Sequence, residues 1–248
     1  AIPKENKGDK PLIIFIHGHG MVRGYAGKYR SDLFAGGYLA NAVLSRGHPV
    51  WAPDNVFHDE LLPLFEEHDY SDMWAKVINQ SSIVLAGVLP TTRRRFVLGL
   101  AAGGTTGLSM VLANKTIDGL VTSGVFFPLD LTRRDYRIKG HPFCHDFRKY
   151  ASYLPLYAMA LDRPLQVQMG RNDSLWVGNI SLPTSDFTGL KRPVLTEETA
   201  GMAFILERLS CAYNGKFQFF VSDLGHLRMD FDAALGFVDQ IEEKRTCG

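Results

Sequence analysis

The sequence predicts an α/β fold, a doubly wound, mainly parallel sheet with an irregular excursion over one end. Three features carry that expectation. Apolar runs of strand length, such as Pro11-Leu-Ile-Ile-Phe-Ile16, lack the polar alternation of a half-exposed strand, so both faces should be buried. Segments with helical apolar spacing separate them. Glycine and proline punctuate the junctions.

In chain order, Pro11–Ile16 is the first strand and ends at His17-Gly-His-Gly20. Ser31–Arg46 has helical spacing, with Leu33, Phe34, Leu39, Ala42, Val43 and Leu44 on its apolar side, and Gly47 ends it. Pro49–Ala52 is a short strand stopped by Pro53-Asp54, and Tyr70–Leu89 is a helix. Arg95–Leu98 is a strand, followed by a helix from about Thr105 and a strand over Ile117–Ser123. Val125–Leu161 mixes aromatic, proline and basic residues without a period, as expected of a cap-like segment that covers a site. Leu165–Met169 is a buried strand, Leu195–Tyr213 a helix, Phe217–Val221 a strand and Leu227–Glu243 a closing helix. Regular strand-helix alternation predicts helices on both faces and ligands at the carboxyl ends of the strands.

The 248 residues, 46% hydrophobic and 21% charged, can bury the core of a single domain spanning 1–248. A formal charge of +1 supplies no global field for nucleic acid, which points to a small molecule or a polymer end as partner. No apolar run reaches the length of a membrane span. The three cysteines, Cys144, Cys211 and Cys247, are too few and scattered for a disulfide framework or a zinc site, although one pair could bridge, and no metal is expected. A start at Ala1 without methionine fits a chain cut after a signal peptide, and so export, or a shortened chain.

The stretch Arg95-Phe-Val-Leu-Gly-Leu-Ala101-Ala-Gly-Gly-Thr-Thr-Gly107 reads as a strand driven into a tight turn and then a helix. With serine at its centre, G-x-S-x-G, such a turn presents a nucleophile while small flanking residues let strand and helix approach. Here Gly99 and Gly103 flank Ala101, whose methyl group cannot form an acyl-enzyme. Either a serine has been exchanged for alanine or the turn belongs to a non-catalytic protein.

Three other strand ends offer partners. The turn His17-Gly-His-Gly20 can aim backbone N–H groups at a developing oxyanion, with His19 as donor, Gly20 beside it, and the amide of Ala102 as the second donor. Gly170-Arg-Asn-Asp173 places a carboxylate that could orient a histidine, though Asp173 could instead finish a turn, and Asp130 is a rival acid one strand earlier. Gly225-His226 follows the last strand, where His226 would act as general base rather than as a bland loop histidine. His48, His58, His68 and His141 read as surface or loop residues.

Taken together, Gly99-Leu-Ala-Ala-Gly-Gly104, His17-Gly-His-Gly20, Arg163-Pro-Leu-Gln-Val-Gln-Met-Gly-Arg-Asn-Asp173 and Gly225-His226 resemble the α/β-hydrolase superfamily. Within it they are similar to the dienelactone hydrolase and acetyl xylan esterase-like branch. The resemblance covers about Pro11 to Val238 and departs at Ala101 and in the long insertion between Asp173 and Thr196 (about 174–196). It implies cofactor-free hydrolysis of an ester, lactone, thioester or amide once serine is restored, with Ala101, Asp173 and His226 as the triad positions. A non-catalytic binding protein and a peptidase or amidase remain the other readings. Substrate contacts are expected from Gly20, Arg23, Tyr25, His145 and Trp176. The cations Arg23, Lys28, Arg133, Arg134 and Arg148 could hold a carboxylate or an anionic saccharide, or be solvated loop charges. Trp176 and Phe187 could stack on substrate or pack the insertion.

Overall fold

The computed structural model describes residues 10–17, 42–52, 94–126, 153–170, 197–212, 216–224 and 229–243. The described strands are β1 (Leu12–Ile16), β2 (Val50–Trp51), β3 (Arg95–Leu100), β4 (Gly119–Ser123), β5 (Leu165–Gly170) and β6 (Phe217–Ser222). The described helices are α1 (Ala102–Ala113), α2 (Tyr153–Met159), α3 (Glu197–Ala212) and α4 (Phe231–Glu243). Residues 42–45 are also helical, and Gly47 follows them at φ 80°, as its place after a helix requires. The expected helix Tyr70–Leu89 lies outside the described residues.

All six strands join one sheet in the order β2-β1-β3-β4-β5-β6, and each neighbouring pair is parallel. Parallel neighbours cannot be joined by hairpins, so each connection must cross a face of the sheet and cover it. The apolar runs split accordingly. Leu12, Ile14, Ile16, Val97, Leu120 and Val167 face one way, against Leu108 and Val111 of α1, Tyr157 of α2 and Leu206 of α3. Ile13, Phe15, Phe96, Leu98 and Val121 face the other, against Val43 and against Phe231, Ala234, Leu235 and Val238 of α4. Fully burying each such side chain contributes about 1.5–3 kcal/mol. Helices thus cover both faces, as the sequence predicts.

Helix α1 begins at Ala102 rather than about Thr105, and two elements depart further from expectation. Helix α2 lies in the part of the chain that reads as irregular. Pro155 obscures it in the sequence, yet it stands in the first turn, where no backbone donor is needed. The fully buried Tyr157 of this helix donates its hydroxyl proton to the Val125 carbonyl and accepts from Thr122 Oγ1 at 3.0 Å, hooking α2 to the end of β4. Helix α4 starts at Phe231 rather than Leu227, because Asp230 caps it: its Oδ1 accepts from the N–H of Ala233 at 2.9 Å.

Strand β3 and α1 meet more closely than any side chain would allow. A Cβ on Gly99 would lie 2.4 Å from the Gly103 carbonyl oxygen, and one on Gly103 would lie 2.1 Å from the Ile16 carbonyl oxygen. These glycines therefore set the seat of α1 against both β3 and the end of β1. At the far end of α1, Arg163 donates to the carbonyls of Val111 and Asn114, satisfying acceptors left open by the helix.

His48 is a correction to the sequence reading. It is fully buried, with Nδ1 3.1 Å from the Pro11 carbonyl and Nε2 3.1 Å from Asp239 Oδ1. Lys10 Nζ also reaches Asp239 Oδ1, at 2.5 Å. The cluster ties α4 to the segments leading into β1 and β2. Burial alone would raise the Asp239 carboxyl, but the hydrogen bonds and charges of His48 and Lys10 outweigh it and hold the group below its usual range.

Two predictions follow from this packing. Gly103→Ala should destabilise the chain by about 2–3 kcal/mol, because the new methyl group meets backbone. Gly201→Ala, exposed on α3 with nothing within 4 Å, should stabilise it by about 0.5–1 kcal/mol; denaturant titration of both variants reads the opposite signs. Asp239→Asn should cost about 1–2 kcal/mol at pH 7. Since the folded carboxyl is depressed, its contribution is complete above the unfolded value of about 3.9 and disappears as pH falls through the folded one. The gap between parent and variant should therefore close with acid, and a gap independent of pH would exclude the carboxylate as its source.

Candidate active site

After β1 the chain crosses to β2 on one side, and after β2 it returns to β3 on the other. The strand order thus reverses between β1 and β3, and the carboxyl ends at such a switch point are where open parallel sheets bind ligands. The register pairs Ile16 with Gly99. Buried His17 and buried Ala101 follow directly at this switch point.

Ala101 has φ 49° and ψ −121°, and it is the one non-glycine residue of positive φ among the described residues. An L-residue held there costs on the order of 1–3 kcal/mol, which the surroundings must impose. They do so from both sides. The Ala101 N–H donates to the Ser123 carbonyl of β4 at 2.7 Å, and its own carbonyl accepts from the Gly104 N–H at 2.8 Å. The glycine contacts at 99 and 103 close the turn beneath it. Helix α1 begins at the next residue, Ala102, whose N–H belongs to the first turn and has no acceptor within the helix. No acidic residue occupies that turn, so the turn itself supplies no carboxylate to offset the positive end of the helix dipole beside position 101.

At the neighbouring strand ends, Gly124 turns out of β4 at φ 73° with its N–H donating to the Gln168 carbonyl at 3.1 Å. Ser222 ends β6 and accepts the Leu224 N–H on its Oγ at 3.4 Å. Between β5 and α4 lies a polar contact that the sequence reading missed. Gln166 and Gln168, each about 1% exposed, point to the same face of β5. Gln168 Oε1 accepts from the Asp230 N–H and its Nε2 donates to the Asp230 carbonyl, both at 2.9 Å. Nε2 also donates to Gln166 Oε1 at 2.9 Å, and Gln166 Nε2 donates to Gln218 Oε1 at 2.7 Å and to the Ala233 carbonyl at 3.3 Å. The sequence reading takes Leu165–Met169 as a buried strand, and it is one; what it misses is that Gln166 and Gln168 are buried with it, as a hydrogen-bonded network under α4.

Of the residues singled out in the sequence, the structure places Ala101 and the backbone of Ala102 at this end of the sheet. His19, Gly20, Arg23, Tyr25, His145, Asp173, Trp176 and His226 lie outside the described residues, as does the rival acid Asp130. Among the described residues no His, Cys, Asp and Glu cluster could hold a metal ion, and no helix is long and apolar enough to cross a membrane.

No protein-family model matches the chain, and no curated protein sequence does. Solved structures do. The esterase Pf2001 of Pyrococcus furiosus is 17% identical, over 96% of this chain and 83% of that one, with a TM-score of 0.59. A CE15 glucuronoyl esterase from Teredinibacter turnerae is 13% identical, over 97% and 68% of the two chains, with a TM-score of 0.59. A lipase in its open form is 15% identical, over 98% and 94%, with a TM-score of 0.62. At such identities the likeness is one of backbone architecture, and together with the six-stranded parallel sheet flanked by helices it shows that this chain has the α/β-hydrolase fold.

Proposed function

We propose that the site at position 101 is that of a serine hydrolase acting on a carboxylic ester, with alanine standing where the nucleophilic serine would be. One observation carries this reading: Ala101 is locked in a strained, glycine-like backbone conformation at the switch point of the sheet, where a side chain is costly unless it is presented to a ligand. The esterases and lipase among the structural neighbours support an ester hydrolase at the level of fold. The resemblance of the surrounding turns to the dienelactone hydrolase and acetyl xylan esterase-like branch adds the partners.

In this reading a serine hydroxyl at 101 attacks the ester carbonyl while His226 takes its proton. Asp173 accepts the Nδ1 proton of His226 and fixes its tautomer. The amides of His19 and Ala102 receive the oxyanion, the latter helped by the N-terminus of α1. The alcohol leaves with a proton from His226, and water, activated by the same imidazole, releases the acid. Arg23, Tyr25, His145 and Trp176, beside Gly20, are the proposed contacts to a small-molecule or saccharide ester. No cofactor enters these steps.

Ala101 itself favours a second reading, a protein that uses the same pocket to bind without turnover, since a methyl group supplies no nucleophile. The substitution Ala101→Ser separates them. Measured on p-nitrophenyl acetate, the serine variant should exceed the parent by about 10³-fold or more, and Ala101→Ser combined with His226→Gln should return to near the parental rate. Folded Ala101→Ser protein without ester turnover would sink the hydrolase reading. Faster cleavage of the matching anilide than of the ester would move the activity to an amidase.

A further inference from the structure

The peptide between Ser123 and Gly124, at the end of β4, reaches to both neighbouring strands. Its carbonyl accepts the N–H of Ala101, which follows β3, at 2.7 Å, and its N–H donates to the Gln168 carbonyl of β5 at 3.1 Å. The first of these bonds is one of the two that hold residue 101 at φ 49°. Positive φ disfavours alanine by an amount comparable to what one neutral hydrogen bond contributes net, so the bond holds the residue only if its acceptor is itself fixed. Gly124 works against that. It leaves the strand at φ 73° with no Cβ to stiffen the turn, which makes the peptide before it easier to tilt.

The Tyr157 hydroxyl grips the chain on both sides of this peptide. It accepts from Thr122 Oγ1 at 3.0 Å, one residue before, and donates to the Val125 carbonyl, one residue after. The Tyr157 ring is fully buried and meets the Phe126 ring edge-on with centroids 5.4 Å apart, so phenylalanine at 157 would fill the same space. What the oxygen adds is the bridge. The same two residues also press on the first turn of α1: a Cβ on Gly104 would lie 2.6 Å from Val125 Cγ2 and 3.4 Å from Thr122 Cβ. Gly104 in turn donates its N–H to the Ala101 carbonyl at 2.8 Å. Both backbone hydrogen bonds of residue 101 therefore end on groups that the 122–125 segment supports.

On the reading of 101 as the nucleophile position, we infer that Tyr157 is a positioning residue for it: the hydroxyl fixes the Ser123 carbonyl, which keeps the turn strained and sets the direction of a side chain at 101. A nucleophile displaced by about 1 Å loses on the order of 10²-fold in rate, so the clamp acts on turnover rather than on the binding of substrate.

Tyr157→Phe removes the oxygen and keeps the ring. In the chain as it stands, with alanine at 101, amide hydrogen exchange is followed by NMR at Ala101 and at Val97, deeper in β3. Loss of the clamp should speed exchange at Ala101 by about tenfold or more relative to Val97, whereas a general loss of stability speeds both alike. The second readout uses Ala101→Ser, where adding Tyr157→Phe should lower kcat on p-nitrophenyl acetate by about tenfold and leave KM within about twofold. Should Tyr157→Phe fail to fold, Thr122→Val takes its place, removing one of the two bonds at nearly unchanged shape, with a relative acceleration at Ala101 of about threefold expected. An unchanged ratio of Ala101 to Val97 exchange in the folded variant overturns the inference, as does an unchanged kcat in an active Ala101→Ser background. Its failure is distinguishable from that of the hydrolase reading: faster exchange at Ala101 without ester turnover by Ala101→Ser upholds the clamp and removes the enzyme, and turnover with both readouts unmoved does the reverse.

Discussion

The approach of Gly103 to the carbonyls of Ile16 and His17 is the contact on which the rest of this end of the molecule depends. With no Cβ on Gly103 or Gly99, α1 can start directly over the junction of β1 and β3, and the turn between β3 and α1 has room for a single residue. That residue, Ala101, is driven to positive φ because its N–H is committed to β4 and its carbonyl to the first turn of α1. The strain is local, but it is sustained by the whole central sheet. Loosening the seat of α1 would relax it and shift the start of the helix relative to the ends of β1 and β3.

The two faces of the sheet divide the work. Helices α1, α2 and α3 on one face hold the strand ends in register, through Tyr157 at the end of β4 and Arg163 at the end of α1. Helix α4 on the other face is tied at both its ends, by Gln168 at Asp230 and by Lys10 and His48 at Asp239. The amino-terminal tie holds the start of α4 to β5, and the second lies near the start of β1. These polar ties act together with the buried apolar side chains Phe231, Ala234, Leu235 and Val238 in seating this helix on the sheet.

Much of this was legible in the chain. The strands announced themselves as continuous apolar runs because both faces are covered, and the turn at Ala101 did so through Gly99 and Gly103, whose spacing has a steric cause. Other features were hidden for equally physical reasons. Pro155 suggests irregular chain unless its place in a first turn is known. Leu-Gln-Val-Gln-Met reads as a buried strand, but nothing local to it names Asp230 and Ala233 of the distant α4 segment as the partners of its two amides. His48 carries no local sign of the carboxylate that waits nearly two hundred residues later. Of the candidate site, Ala101 lies in the turn between β3 and α1 and Ala102 opens that helix; its other members fall outside the described residues.

The parallel order of the described strands bears on how the molecule comes into being. Not one pairing between neighbouring strands can form locally: β1 must wait for β3, whose partner residues lie far along the chain, before its central position is filled on that side. Closure of long loops precedes any reward from the pairing, so assembly should be slow by the standards of small domains, with apolar strands uncovered in the interval. On the ribosome, β1 and β2 would emerge well before β3, the strand that pairs with β1 on its other side, so their apolar surfaces stay uncovered until β3 arrives.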